Sequence, residues 1–214
     1  MIVEKKISVV NQMDTPARHN QLREALIAAA GRMISSQGLA ALKARALADE
    51  VGCAVGAIYN VVEDLDELVL LVNARTLMAL EGTLAAATTE GRDPEWAISQ
   101  LVKFALAYLE FAAEHRRLWS VLFEYRMPAG RELPEWFQIE LAKLFAYVDA
   151  PVAVLVPKAN AARRALLARS LFSSLHGMVA LGLEEKLQRL PLPTLREQIT
   201  IVVTALGHGL AGAA

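Results

Sequence analysis

From Thr15 onward the apolar side chains of this chain recur every three or four residues, and over no useful length do they alternate. Leu22, Ala25, Leu26, Ala29, Met33 and Ile34 set the pattern, with Arg18, Arg23 and Arg32 off that line. A chain patterned this way buries its apolar groups only by stacking helices on one another, so the spacing predicts an all-α fold. Breaks fall at Gly38, Gly52, Asp93-Pro94, Pro128-Ala129-Gly130, Pro151 to Pro157 and Pro191-Leu192-Pro193. They delimit helices over 15–38, 44–51, 54–61, 64–80, 94–113, 116–125, 134–148, 160–187 and 195–210. Residues 152–156, between two prolines, read as the start of a helix or a segment packed on one rather than as a strand.

The two short helices at 44–51 and 54–61 meet across Gly52 and Cys53, the spacing of a helix-turn-helix. Ahead of them, Thr15 is placed to cap a first helix that Pro16 begins, and residues 1–14 read as a flexible arm. After them, Asp64 is placed to cap a long helix with Asp66 and Glu67 in its first turn. The expected organisation is a small three-helix head over 15–63 and a larger helical part over 64–214, joined by that long helix.

Residues 38–60, with the turn glycine Gly52, the small Gly56 and the aromatic Tyr59, resemble the DNA-binding signature of TetR/AcrR-type regulators. The likeness extends over about fifty residues, from Thr15 to Glu67. It implies an N-terminal helix-turn-helix that binds a double-stranded DNA operator and a larger remainder that dimerises and senses a small ligand. It places Lys43 and Arg45 on the phosphate backbone, and Val55, Ala57, Tyr59 and Asn60 on the recognition helix, with the Tyr59 hydroxyl on a phosphate. Four positions depart from the family pattern: Ala54, Val55, Val62 and Leu65 stand where Ser or Thr, Lys or Arg, Phe and Lys are common. Residues 1–73 hold seven basic side chains against nine acidic ones, and the whole chain carries a formal charge of −1. An acidic head makes few phosphate contacts, so modest affinity is expected, and a dimeric module that keeps the fold without binding DNA is the alternative.

In the larger part, residues 160–187 are apolar on two sides and residues 199–210 lack charge, a composition that calls for two burial partners. With the family resemblance, this implies a homodimer whose interface holds Leu167, Leu171, Ser174, Met178, Val202, Val203 and Leu206, with Gly177, Gly207 and Gly209 allowing close approach. Apolar side chains make up 55% of the sequence. That surplus, together with an aromatic cluster between Trp96 and Phe137, predicts an apolar effector pocket walled by Trp96, Phe104, Tyr108, Trp119, Phe123 and His176. The stretch Leu175-His176-Gly177-Met178 also resembles a Trp-His-Gly-type C-terminal domain of one TetR subgroup, with Leu175 in place of the Trp.

Other function classes find no support in the sequence. A nucleophile elbow, a phosphate loop, a zinc-binding His-Glu-x-x-His helix and a dinucleotide fingerprint are all missing, and His19, His115, His176 and His208 are scattered. The expectation is a non-enzyme that needs no cofactor or metal. Cys53 is the single cysteine, no apolar run reaches a membrane span, and the first residues have no signal-peptide organisation, which together predict a cytoplasmic protein without a membrane partner.

Overall fold

The computed structural model describes residues 15–187 and 189–212; of Thr15 and Lys186 only the backbone is described. The arm expected over residues 1–14 and the capping side chain of Thr15 lie outside that description. The described residues form nine α-helices and no strand: α1 Thr15–Gln37, α2 Ala44–Val51, α3 Val55–Ile58, α4 Leu65–Ala86, α5 Pro94–Glu114, α6 Arg116–Glu124, α7 Glu135–Leu155, α8 Ala161–Gly182 and α9 Leu192–Gly212. The all-α class read from the spacing is the class observed.

Local chemistry accounts for the helix ends. Asp64, Asp93 and Asn160 each stand one residue before a helix and accept the N–H three residues on, from Glu67 at 2.8 Å, Trp96 at 2.7 Å and Arg163 at 2.9 Å. Gly52 ends α2 in the left-handed region at φ 76°, with its N–H donating to the Ala48 carbonyl at 2.9 Å. A side chain there would meet open space, so its cost is backbone strain alone. Gly52→Ala is expected to lower stability by about 1–2 kcal/mol, read as a shifted urea midpoint at constant slope.

One expected break does not exist. Residues 134–148 were to end before Pro151, yet α7 runs on through Pro151 to Leu155. Pro151, Val152 and Leu155 are buried, and this contact offsets a proline penalty of about 3 kcal/mol. Residues 152–156 therefore close α7 instead of opening a new helix.

The helices enclose two main cores. In the head, Leu26, Ile34, Leu47 and Ile58 are fully buried, and the core is completed by Leu68, Val69 and Val72 of α4 and by Val121 of α6. In the larger part, α5 is the axis: α9 lies along it, and α7, α4 and α6 pack around it, with α8 against α7 and α9. Leu80 and Leu84 bring the second half of α4 into this core. One continuous helix thus has its first three turns in one core and its last turns in the other. It is not the sole bridge between them, because Arg117 at the start of α6 donates to the Ser35 and Ser36 carbonyls at the end of α1.

Candidate functional site

On the head, the outward groups are those at the α2 start and on α3. Lys43 precedes α2 in extended conformation and Arg45 lies in its first turn; both are exposed. Neither carries an ion pair among the described residues, whereas Arg23 is paired with Glu67 and Arg32 with Glu50. Val55 and Tyr59 are 41% and 49% exposed, and Asn60 is exposed too. Ala57 is half-buried and Ile58 wholly buried, because α3 must seat one side on the head core. The recognition helix is also shorter than the spacing predicts: regular α geometry covers Val55–Ile58, and the chain then turns, Val62 N–H donating to the Ile58 carbonyl at 3.1 Å.

In the larger part a cavity of about 270 Å³ opens between α4, α5, α7 and α8. Its size is near the lower end of small-molecule sites, roughly 300–1,000 Å³. Of the predicted wall residues, Phe104, Tyr108 and Phe123 line it. Trp119 and His176 stand behind them: the Trp119 indole N–H donates to the Tyr108 hydroxyl at 2.9 Å, and that hydroxyl is hydrogen-bonded to His176 Nδ1 at 2.8 Å. The polar atoms of this aromatic cluster are thus turned onto one another. Burial pushes the Tyr108 pKa up and the His176 pKa down, favouring the neutral form of each.

Trp96 is not part of this wall. Its indole N–H donates to the Thr89 carbonyl at 3.1 Å, its ring covers Gly91, and it borders a separate groove with Gln100 and Lys143. The sequence reading also missed most of the lining: Leu70, Asn73 and Leu77 of α4, Leu141, Leu144 and Phe145 of α7, and Leu171 and Phe172 of α8. Phe123 and Leu133 line the cavity while remaining 41% and 38% exposed, which puts its mouth beside the loop between α6 and α7.

That loop is fastened to the head. The Tyr125 hydroxyl donates to Asp66 Oδ1 at 2.6 Å, and Arg131 pairs with Asp64 and, at 3.2 Å, with Glu63. The Glu67 N–H, followed by Arg131, holds the Asp64 carboxyl below its ordinary pKa, and burial followed by the Asp66 carboxylate raises that of Tyr125. Tyr125, Met127 and Leu133 of the same segment line the cavity. One ten-residue stretch therefore touches both the cavity and the first turn of α4.

The residues expected at a dimer interface divide between two faces. Val203, 7% exposed, is packed in the protomer's own core, and Leu171 lines the cavity with it. Leu167, Met178 and Val202 are half-buried, while Ser174 and Leu206 are exposed. Gly207 is spent inside the protomer, since a Cβ there would come within 2.8 Å of Ile98, whereas Gly177 and Gly209 face open space. On α8, Leu166, Ser170, Ser173 and Leu181 are exposed and Gly177 is half-buried, and on α9 Ile201 and Ala205 are exposed. Leu166, Leu181 and Ile201 are 62%, 63% and 55% exposed. Ser170, Ser173 and Ser174 each donate to a carbonyl four residues back in their own helix, so their hydroxyls are already engaged.

α4 and α8 are long and apolar enough by composition to cross a membrane. For α4 half of that window is already buried in the fold, against 17% for α8. Most of the apolar window of α8 is thus left uncovered by the protomer.

Residues 101–211 match the family model described as tetracyclin repressor-like, C-terminal domain, which spans more than half of the chain. No curated protein matches the sequence. Among solved structures, a protein of unknown function from Rhodococcus sp. RHA1 is 23% identical, with 92% of this chain and 100% of that one covered at a TM-score of 0.63. A TetR-family transcriptional regulator from Streptomyces coelicolor is 20% identical over 91% of this chain and 84% of that one, at a TM-score of 0.66. BioQ, solved with its natural double-stranded DNA operator, is 18% identical over 89% and 98%, at 0.59. At these identities the structures show a shared fold, and the family match carries the assignment: the chain belongs to the tetracycline repressor-like, or TetR, family of transcriptional regulators.

Proposed function

We propose that the protein is a repressor that binds a palindromic operator as a homodimer and lets go when a small apolar effector enters the cavity between α4 and α8. The observation that carries this reading is the double membership of α4. Leu68 and Val72 belong to the head core, while Leu70 and Leu77 of the same helix line the cavity. A molecule that spreads the cavity displaces the helix on which the head is built. BioQ, a protein of the same fold, was solved on its DNA operator, which supports DNA as the head's partner.

On the head, Lys43 and Arg45 are the proposed phosphate contacts, Tyr59 adds a hydroxyl, and Val55, Ala57 and Asn60 face the groove. Two free basic groups per protomer give four in a dimer. From these alone, a plot of log K against log salt should have a slope of only about −4. Arg45→Ala should flatten that slope and weaken operator binding about 10-fold without changing the melting temperature. The test is fluorescence anisotropy on the DNA upstream of the coding region across a salt series. Wild-type affinity equal for that DNA and for a scrambled duplex of the same length would favour a dimeric sensor that has abandoned DNA.

A further inference from the structure

Three polar side chains are buried among the described residues: Asn73, Thr76 and Gln100. Two of them are satisfied. Thr76 Oγ1 donates to the Val72 carbonyl at 3.0 Å. Gln100 accepts from the Thr89 N–H and hydroxyl and donates to the Ala87 carbonyl at 3.0 Å, which fastens the loop between α4 and α5. Asn73 differs. It is 2% exposed, it lines the apolar cavity, and its Oδ1 has no hydrogen-bond partner among the described residues. An unmet buried carbonyl oxygen costs stability that a leucine at the same place would restore, so its presence calls for an occupant that completes it.

The other polar groups around the cavity are already engaged. The Tyr108 hydroxyl is taken by Trp119 and His176, and that of Tyr125 by Asp66. Among the described residues, no Asp, Glu, Lys, Arg or His lines the space. A charged ligand group would lose its hydration there without gaining a counter-ion. A wholly apolar ligand would leave Asn73 as it stands.

We infer that Asn73 is the anchor of the effector site and selects a neutral molecule with an apolar body and a single hydrogen-bond donor, such as an alcohol, a phenol or an amide N–H. This rests on the cavity being the effector site and adds the chemistry that fills it. The donor reaches Asn73 Oδ1, and the apolar body lies along Leu70, Leu77, Phe104 and Phe172. Asn73 is one residue from Val72, which is buried in the head core, so the hydrogen bond is made on the element that carries the head.

The test uses two isomers with identical atoms, 1-decanol and 1-methoxynonane, which differ in whether the oxygen carries a proton. Their binding to the full-length protein is read by titration calorimetry, with Trp119 fluorescence as a second signal. Wild type is expected to bind the alcohol about 10-fold more tightly than the ether. Asn73→Leu should bring the two constants together, chiefly by weakening the alcohol, and should melt at or above the wild-type temperature. Equal wild-type affinity for both isomers, or a preference that survives Asn73→Leu, overturns the anchor while leaving the cavity as a ligand site. Failure of both isomers to bind wild type overturns the cavity reading and the anchor with it. Decanoate serves as the charged member of the series, and binding as tight as that of decanol would contradict selection for a neutral ligand.

Discussion

Leu181→Glu combined with Ile201→Glu is expected to convert a two-chain particle into single chains in sedimentation velocity and to weaken operator binding at least about 100-fold. Three large apolar side chains per protomer, Leu166, Leu181 and Ile201, stand more than half exposed on α8 and α9. Burying the exposed part of six of them across the two-fold axis of the proposed dimer contributes about 5–11 kcal/mol, comparable to an association cost of roughly 4–15 kcal/mol. In the proposed dimer these side chains supply the apolar contact, and four buried carboxylates facing one another across its axis would oppose it. A single head reaches only one half-site, so the operator loses the second half of its contacts together with the fixed spacing between them. Circular dichroism should show the helix content unchanged, since both side chains project from the protomer. Double substitution with retained two-chain mass would place the interface elsewhere. Charges at Leu171 and Val203 could not make this test, because both side chains are turned inward and the protomer would lose its core before losing its partner.

That contrast marks where the sequence stops being legible. Helical spacing identifies α8 as apolar on two sides, but not which side meets its own α7 and α9 and which is left free. The choice is made by packing: α9 lies so close to α5 at Gly207 that its Val203 and Ile199 turn inward, and α8 follows with Leu171 and Phe172. Of the residues expected at the interface, Leu171 and Val203 are thus turned into the protomer. The head was the easier case, because a helix-turn-helix is specified locally by Gly52, by the small residue at Gly56 and by caps such as Asp64. The cavity was half legible. Aromatic side chains on α5 and α6 announced a wall, but α4 is apolar around most of its circumference, and nothing local distinguishes Leu70 and Leu77, which face the cavity, from Leu68, which faces the head. Nothing in the sequence singles out Asn73, and only the fold shows that it is buried and that its Oδ1 has no partner among the described residues. Pro151 is the opposite error, a strong local stop signal overruled by the burial of its own ring and of Val152 and Leu155.

Replacing Tyr125 by Phe and Arg131 by Ala together is expected to uncouple the effector from the operator, reducing the change in ligand affinity that DNA causes from several tens of fold to less than about 3-fold. The mouth of the cavity is bordered by Phe123 and Leu133, so a ligand long enough to reach it presses on the segment between them. That segment holds the first turn of α4 through Tyr125 to Asp66 and through Arg131 to Asp64 and Glu63. Each ion pair is largely solvated and contributes little by itself. The hydrogen bond from Tyr125 to a carboxylate adds about 1.5–3 kcal/mol. That hydrogen bond alone falls in the roughly 1–3 kcal/mol range typical of coupling between two sites. Without the latch, the ligand no longer works against it, so ligand affinity in the absence of DNA should rise by about the factor by which the coupling falls. Titrating ligand with and without saturating operator measures both quantities, and a wild-type ratio in the double variant would rule the latch out as the link. The pH dependence has a definite sign. The Asp64 carboxyl is held below its ordinary pKa, so the stabilisation is present above the ordinary carboxylate range and is lost as pH falls through the lowered value. Coupling should accordingly stay flat from about pH 8 to about pH 5 and fall only in stronger acid, a decline that the double variant should not show.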